Sequence, residues 1–153
     1  MRFLETKIPA PFVAIAIATG MWFLPQAEPA LGVLGRVRVV ATAVTSQLSG
    51  VIALAAFGAL WWAKTTINPI RPERASTLVT RGIYRFTRNP MYLSLLLLLT
   101  SYAIHLWSWL ALAGPVAFVA YISRFQIVHE ERALRSKFGS EFVEYKRQVR
   151  RWI

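Results

Sequence analysis

The sequence has no cysteine and very few histidines, and each shortage excludes a class of function. With Cys 0, disulfides, thiolate metal sites and cysteine nucleophiles are ruled out. The two histidines, His105 and His129, are too few for a histidine-rich site, so no metal is expected. No GxGxxG motif follows a strand, and neither a P-loop nor an HExxH motif occurs. The common soluble nucleotide-binding folds and the zinc proteases are therefore not indicated.

Charged residues are also scarce. They make up 16% of the 153 residues, whereas 56% are hydrophobic. Soluble domains carry about 25% charged and about 45–50% apolar residues. Together with long apolar runs, this balance predicts an integral membrane protein, an all-α bundle that forms one domain over residues 1–153.

The net charge of +11 is concentrated in two segments. Residues 64–88 hold six positive side chains against Glu73, and residues 124–151 hold eight against four negative ones. Both segments flank apolar runs, as cytoplasmic loops do under the positive-inside rule. Anionic lipid is therefore the expected partner of this charge. Nucleic acid is not expected, because no recognition motif accompanies the charge.

Four apolar runs predict about four transmembrane helices. The first follows Arg2 and Lys7, as the core of a signal peptide would. It is long for that role and lacks a good cleavage pattern, which favours a retained span. Four spans and the basic segments place both termini in the cytoplasm, and the bacterial inner membrane is the expected location. The predicted spans are about 8–25, 39–63, 91–106 and 110–128, and Gly114-Pro115 is expected to kink the last one.

The C-terminal residues 129–153 change to an amphipathic pattern. Apolar residues recur there at spacings of three and four, which is typical of a helix. The sequence therefore predicts a cytoplasmic amphipathic helical tail that lies on the membrane or folds over the bundle. Gly139-Ser140 is expected to divide it into two short helices. The apolar stripe consists of Leu134, Phe138, Phe142, Tyr145 and Val149.

The third and fourth spans predict a helical hairpin with a tight turn. Asn89–Tyr92 and His129–Glu131 lie about equally far along the chain from that turn. The hairpin is therefore expected to bring them side by side at the membrane rim. Neighbouring glutamates point about 100° apart on a helix, so one should face the bundle and the other water or an arginine. Two interpretations remain open from the residues alone. The carboxylates either pair with arginine to hold the tail, or they form part of a functional site.

Two segments of the chain carry a family resemblance. Gly82-Ile83-Tyr84-Arg85 followed by Arg88-Asn89-Pro90-Met91-Tyr92 resembles the G-x-Y…R-[HN]-P-x-Y motif of one superfamily of membrane methyltransferases. That superfamily includes isoprenylcysteine carboxyl methyltransferases and phospholipid N-methyltransferases. Residues 130–134 (EERAL), with Phe138-Gly139 and Tyr145, resemble its second motif. The resemblance covers about residues 64–153.

The resemblance implies an S-adenosylmethionine-dependent methyltransferase at the cytoplasmic membrane face. S-adenosylhomocysteine would be the product, and a lipophilic substrate would enter from the bilayer. Glu130, Glu131 and Arg88 are the catalytic residues that it implies. The cofactor-binding residues that it implies are Tyr84, Arg88, Asn89, Pro90, Tyr92, His129, Glu130 and Glu131.

The methyl acceptor stays open at this point. A prenylcysteine-type carboxylate, the amine of phosphatidylethanolamine and a small lipophilic thiol all fit a pocket that opens to the membrane. Asn89 stands where many relatives have histidine, and an asparagine side chain cannot act as a base near neutral pH. This departure weakens the expectation of a prenylcysteine substrate. It also keeps a second class of function open, a non-catalytic membrane scaffold or binding protein.

Overall fold

The computed structural model describes residues 8–25, 32–63 and 77–153, and all regular structure within these ranges is helical. Five α-helices carry the fold, and short 3-10 and π-helical turns connect or extend them. The all-α prediction is confirmed. The helices are α1 (Ala10–Trp22), α2 (Gly32–Trp62), α3 (Pro90–Leu106), α4 (Ala113–Ile122) and α5 (Val128–Gln148). The 3-10 turns are Gly82–Arg85 and Trp109–Leu112, and the π-helical turn is Ser123–Ile127.

Helix α3 lies at the centre of the bundle. It packs against α2, α1 and α4, and α2 also contacts the 3-10 turn Gly82–Arg85. Helix α1 approaches α4 so closely at Gly114 that an added Cβ would lie 2.3 Å from Met21 Sδ. Hydrogen bonds also join helices directly, since Ser49 Oγ donates to the carbonyl oxygen of Ser94 at 2.7 Å. Small and hydroxyl side chains therefore allow the close contacts that helices make in lipid.

Two helical runs are long and apolar enough to cross a bilayer. One is α2, and the other is the continuous run Trp109–Gln148, which contains α4 and α5. Helices α1 and α3 are apolar but shorter. Large apolar side chains along α2 are exposed, with Trp62 at 87%, as on a helix that faces lipid. The arrangement of four spans with defined sides remains a prediction.

Several helix boundaries differ from the predicted ones. Helix α2 begins at Gly32 rather than at residue 39, because the apolar pattern continues through residues 33–40 without a proline. The kink expected at Gly114-Pro115 is wrong. Pro115 lies in the first turn of α4, directly after a 3-10 turn. The N–H groups of a first turn have no partner within their helix, so a proline there removes no hydrogen bond.

The C-terminal helix differs from the prediction at its start. The π-helical turn joins α4 to α5 without a break at residue 128. The interruption lies at Gly139, whose backbone (φ 53, ψ −121) is non-helical, at the position where the sequence predicts a division. The apolar stripe then forms a second core, in which Phe142, Tyr145 and Val149 pack against Leu78 and against the stripe residues Leu134 and Phe138.

Some predictions fall outside the described residues. They concern the charged start at 1–7, the loop at 26–31 and most of the first basic segment, at 64–76.

Candidate active site

The N-terminus of α3 forms one wall of the candidate site. Pro90 is the first residue of α3 and is buried, because its fixed φ suits a first turn. Asn89 precedes it as N-cap residue, and its carbonyl oxygen accepts a hydrogen bond from the Leu93 N–H at 2.9 Å. Thr87 Oγ1 accepts a hydrogen bond from the Asn89 N–H at 3.2 Å. The segment Thr87–Pro90 is therefore held in a defined conformation before the helix begins.

The first turn of α5 forms the opposite wall. Glu130 and Glu131 lie there, just after the π-helical turn Ser123–Ile127. A π-helical turn holds an extra residue, which rotates the following helix relative to the preceding one. With α5 rotated in this way, the Tyr92 hydroxyl of α3 donates a hydrogen bond to Glu130 Oε1. The hairpin therefore joins the two sequence motifs by a direct contact.

Glu131 points to a cluster of cations instead. Arg151 Nε and Nη2 donate to its two oxygens at 3.0 Å and 2.9 Å, which is a bidentate pair. Arg88 Nη2 lies 3.2 Å from Glu131 Oε1, and Lys146 Nζ lies 3.4 Å from Oε2. Charge-assisted bonds of this kind are the strong ones in proteins. The two glutamates thus face different surroundings, as their angular separation on a helix predicts.

The last residues of the chain close over the loop that precedes α3. We call residues 149–153 the C-terminal strap; it begins where Val149 takes an extended conformation. The Arg88 N–H donates to the carbonyl oxygen of Arg150 at 3.1 Å. The carbonyl oxygen of Arg151 accepts from Asn89 Nδ2 at 2.9 Å and from Thr87 Oγ1 at 3.3 Å. The strap is therefore fixed by backbone hydrogen bonds as well as by the Arg151–Glu131 pair.

Electrostatics separates the two carboxyl groups. Glu130 lies beyond the apolar stretch that ends at Val128, and burial raises the pKa of its carboxyl to about 7. Burial also raises the pKa of Glu131, but the hydrogen bonds from Arg151 and the charges of Arg88, Arg151 and Lys146 outweigh it and lower that pKa below its usual value. Near neutral pH, Glu131 is therefore ionised, whereas part of the Glu130 population is protonated.

Two tyrosines complete the wall beside Glu130. The Tyr145 hydroxyl donates to the carbonyl oxygen of Tyr84 at 2.7 Å, which ties α5 to the 3-10 turn. Burial raises the pKa of the Tyr84 hydroxyl, and the nearby Tyr145 and Glu130 raise it further. The Tyr84 hydroxyl therefore remains protonated at neutral pH, and it lies close enough to Glu130 to interact with it.

The polar groups of the site fit the amino-acid part of S-adenosylmethionine. The Arg88 side chain is only 9% exposed, and its Nε and Nη1 are buried without a hydrogen-bond partner among the described residues. Buried donors without a partner are costly, and a carboxylate could accept a charge-assisted hydrogen bond from one of them. Glu130 Oε1 accepts a hydrogen bond from Tyr92. A carboxyl group has a second oxygen, which can accept a bond from a hydroxyl or an ammonium group.

No group of three or more histidine, cysteine, aspartate or glutamate side chains within the described ranges is arranged to hold a metal. A separate cleft of about 530 Å³ lies between the 3-10 turn and the end of α5. It borders the site through Arg85 of the 3-10 turn, Tyr145 and the first residue of the strap, Val149. The cleft is lined by Thr80, Arg85, Glu141, Glu144, Tyr145, Gln148 and Val149.

The structure brings most of the predicted residues into one network of contacts. Tyr92 contacts Glu130, Arg88 contacts Glu131, and Asn89 is bonded to the strap. Tyr84, Pro90 and His129 belong to the same three elements, the 3-10 turn, α3 and α5. Their roles toward a cofactor remain predictions.

Sequence reasoning missed three residues of the network, Thr87, Lys146 and Arg151. The pair of arginines near the end of the chain, Arg150 and Arg151, was the available signal. Its partner Glu131 lies 20 residues earlier, and that distance hides the contact from any local pattern. The chain changes direction at Gly139 and returns toward Glu131. The spacing of residues in the sequence does not indicate this change.

Comparisons with known proteins agree with this arrangement. A family model described as phospholipid methyltransferase matches residues 37–141, more than half of the chain. An uncharacterized protein of Haemophilus influenzae is 49% identical over 63 residues, which are 41% of this chain and 100% of that protein. Protein-S-isoprenylcysteine O-methyltransferase B of Arabidopsis thaliana is 32% identical over 88 residues, which are 56% of this chain and 43% of that enzyme.

The chain thus spans less than half of the Arabidopsis enzyme, and no solved structure matches it. The family match covers α3, the π-helical turn and the first part of α5, and so contains both walls of the site. The family match, the helical architecture and the contact between the two motifs agree with one another. The chain belongs to the phospholipid methyltransferase family.

Proposed function

We propose that the protein transfers a methyl group from S-adenosylmethionine to a lipophilic acceptor at the cytoplasmic face of a membrane. The observation that carries the proposal is the Arg88 side chain of the first motif, which is buried with two donors that have no partner among the described residues and contacts Glu131 of the second motif. A membrane methyltransferase family supplies the chemistry that fits such a site.

Each wall has its own task in this proposal. Arg88 binds the carboxylate of the cofactor through one of its unpartnered nitrogens, while Glu131 holds the guanidinium in place through Nη2. The backbone at Asn89 and Pro90 presents the start of α3 to the ligand. Tyr84, Tyr92 and His129 line the space next to Glu130. The bound cofactor supplies an electrophilic methyl group, so the protein contributes mainly alignment and exclusion of water.

The membrane arrangement belongs to the same proposal. The chain crosses the bilayer about four times with both termini in the cytoplasm, and in a bacterium this is the inner membrane. Exposed basic side chains on α5, such as Arg147 at 76%, contact anionic headgroups. The acceptor reaches the site from the bilayer, because the site lies where the apolar stretches of α3 and α4 end.

The experiment is binding of S-adenosylhomocysteine to the purified full chain in detergent, measured by calorimetry and by thermal unfolding. We expect saturable binding and a rise in the unfolding temperature with ligand concentration, and no rise with ATP. Arg88→Met should weaken binding at least about 10-fold, because hydrogen bonds to charged groups contribute about 1.5–3 kcal/mol. Arg147→Met, at an exposed position, is the matched control. A folded wild-type protein that does not bind the ligand would refute the proposal.

A non-catalytic membrane binding protein is the second candidate. It is favoured by the strap, whose carbonyl groups and Arg151 already occupy Asn89 and Glu131. For such a protein the strap is a permanent part of the fold, and S-adenosylhomocysteine leaves the unfolding temperature unchanged. The same titration therefore separates the two functions.

A further inference from the structure

The C-terminal strap reaches the candidate site from outside the part of the chain that carries the family match. That match ends at residue 141, whereas the strap begins at Val149, which packs in the second core. Trp152 packs against the core cluster that contains residues of α1, α3 and α4. The carbonyl oxygen of Arg151 accepts hydrogen bonds from the segment before α3. The strap is thus anchored on both sides of Arg151, and this side chain is presented to Glu131 in a defined position.

Arg151 and Arg88 bind the same carboxylate in different ways. Arg151 Nε and Nη2 donate to Glu131 Oε1 and Oε2 at 3.0 Å and 2.9 Å, so this arginine engages both oxygens. Arg88 contacts Glu131 through Nη2 alone, at 3.2 Å from Oε1. Its Nε and Nη1 are buried with no hydrogen-bond partner among the described residues. Arginine and carboxylate frequently form a bidentate pair, and here Arg151 takes that geometry and leaves Arg88 a contact by one nitrogen.

The cluster around Glu131 carries more positive than negative charge. Its carboxylate is surrounded by the cationic side chains Arg88, Lys146 and Arg151. Burial lowers the pKa of Arg88; Glu131 opposes this shift, and the charge of Arg151 adds to it. One carboxylate shared among three cations therefore compensates the buried guanidinium only in part, and a second anion against its free nitrogens would be stabilised there.

We propose that Arg151 is a positioning residue of the cofactor site. Its two-nitrogen pair occupies Glu131 and so prevents that carboxylate from binding the Arg88 guanidinium in the same way. Arg88 then keeps a free nitrogen for the carboxylate of the cofactor. Arg151 acts through Glu131 and Arg88 and does not contact the ligand. The inference rests on the proposed methyl transfer, and it assigns a task to a segment that lies beyond the family match.

This role requires the shape of an arginine and not only its charge. A guanidinium offers two parallel donors that match the two oxygens of a carboxylate, whereas an ammonium group is a point charge on a flexible stem. Arg151→Lys therefore keeps the charge of the strap but cannot engage both oxygens of Glu131 as the wild type does. The vacated oxygen becomes accessible to Arg88, whose second bond to Glu131 then removes a donor from the ligand.

The test measures ligand affinity by calorimetry with the full chain in detergent. It compares S-adenosylhomocysteine with 5′-methylthioadenosine, a nucleoside thioether that lacks the carboxylate and the ammonium group. Arg151→Lys should weaken binding of S-adenosylhomocysteine by at least about 10-fold, because a hydrogen bond to a charged group is lost, and leave the affinity for 5′-methylthioadenosine within about twofold. Arg150→Lys, at the exposed neighbouring position, is the matched control and should leave both affinities unchanged. Cooperative unfolding, followed by circular dichroism, shows that each variant is folded.

A second measurement reads the Arg88 side chain directly. Nitrogen-15 spectra of the arginine side chains identify the guanidinium signals of Arg88 as those missing in Arg88→Met. Without ligand, these signals should shift in Arg151→Lys, because the guanidinium gains a second bond to Glu131, and stay in place in Arg150→Lys. In the wild type they should shift on addition of S-adenosylhomocysteine and not on addition of 5′-methylthioadenosine.

Each outcome decides a separate point. A wild-type protein that does not bind S-adenosylhomocysteine refutes the proposed function, and the role of Arg151 in cofactor binding is refuted with it. If the wild type binds this ligand and Arg151→Lys binds it equally well, the proposed function stands and the inference about Arg151 is wrong. Equal losses for both ligands would show that the strap only supports the fold. Arg88 signals that stay in place in ligand-free Arg151→Lys would show that Arg151 does not control this guanidinium.

Discussion

Glu130 and Glu131 are neighbours in sequence, yet their surroundings are opposite. Glu130 faces Tyr92 and has no described cation, whereas Glu131 is held by three cationic side chains. The pKa of the first is raised to about 7 and that of the second is lowered. A step of one residue, about 100° of helix rotation, therefore separates a carboxyl group with a raised pKa from one with a lowered pKa.

This difference shows how one helix turn divides two tasks. Glu131 compensates the charges of Arg88 and Arg151 and attaches the strap, so its contribution is mainly structural. Glu130 takes no part in the described contacts of that network and is bonded to Tyr92 instead. Substitutions that remove the cation cluster should therefore lower stability.

The largest effect on stability is expected from Glu131→Ala. The Arg88 side chain is 9% exposed and that of Glu131 14%, so the change leaves the largely buried guanidinium of Arg88 without its partner. Removing one member of a buried pair costs about 3 kcal/mol or more. Unfolding in detergent, followed by circular dichroism, measures the loss. Glu144→Ala, whose partner Arg147 is exposed, should cost less than about 0.5 kcal/mol. Equal losses in both variants would contradict the comparison.

The next effect is expected from Gly139→Ala. The backbone of Gly139 (φ 53, ψ −121) is a conformation that residues with a Cβ rarely adopt, and forcing it costs about 2 kcal/mol. The change should also loosen Lys146 and Arg151, which reach Glu131 only after the chain reverses, and leave the Tyr92–Glu130 contact in place. Limited proteolysis near the C-terminus should accelerate. Gly58→Ala in α2, with open space around it, is the control; a similar loss there would argue against the explanation.

A smaller effect is expected from Thr87→Val. The buried Thr87 hydroxyl accepts from the Asn89 N–H and donates to the carbonyl oxygen of Arg151. Losing these bonds in a side chain of nearly equal shape should cost about 1 kcal/mol. Amide hydrogen exchange at Asn89 should become faster. Thr19→Val removes an exposed bond within α1 and should leave that exchange rate unchanged; unaltered exchange in Thr87→Val would show that the strap is held otherwise.

The smallest effect is expected from Lys146→Met. The Lys146 side chain is 51% exposed, so solvent and salt screen its attraction to Glu131. The free energy of unfolding should fall by about 0.3 kcal/mol, and the difference from wild type should vanish at high salt. A loss as large as that of Glu131→Ala would show that Lys146, not Arg151, is the main partner of Glu131.

The sequence by itself determined the elements and the two motifs, because these depend on local patterns. Apolar runs predicted helices, Pro90 predicted the start of α3 to within one residue, and the stripe from Leu134 to Val149 predicted an amphipathic helix, whose apolar residues pack together in the second core. The similar lengths of the two hairpin arms were enough to predict that the start of α3 lies beside the start of α5. The family resemblance rested on the same residues.

Only the tertiary structure decided which carboxylate is charged and what holds it. That choice depends on the π-helical turn, which sets the rotation of α5, and on Gly139, which returns the chain so that Arg151 reaches Glu131. Both bring together residues that are far apart in the sequence, and no repeat or residue spacing indicates such contacts. The physical reason is that a charge state follows from burial and from neighbouring charges, and these are properties of packing rather than of a motif.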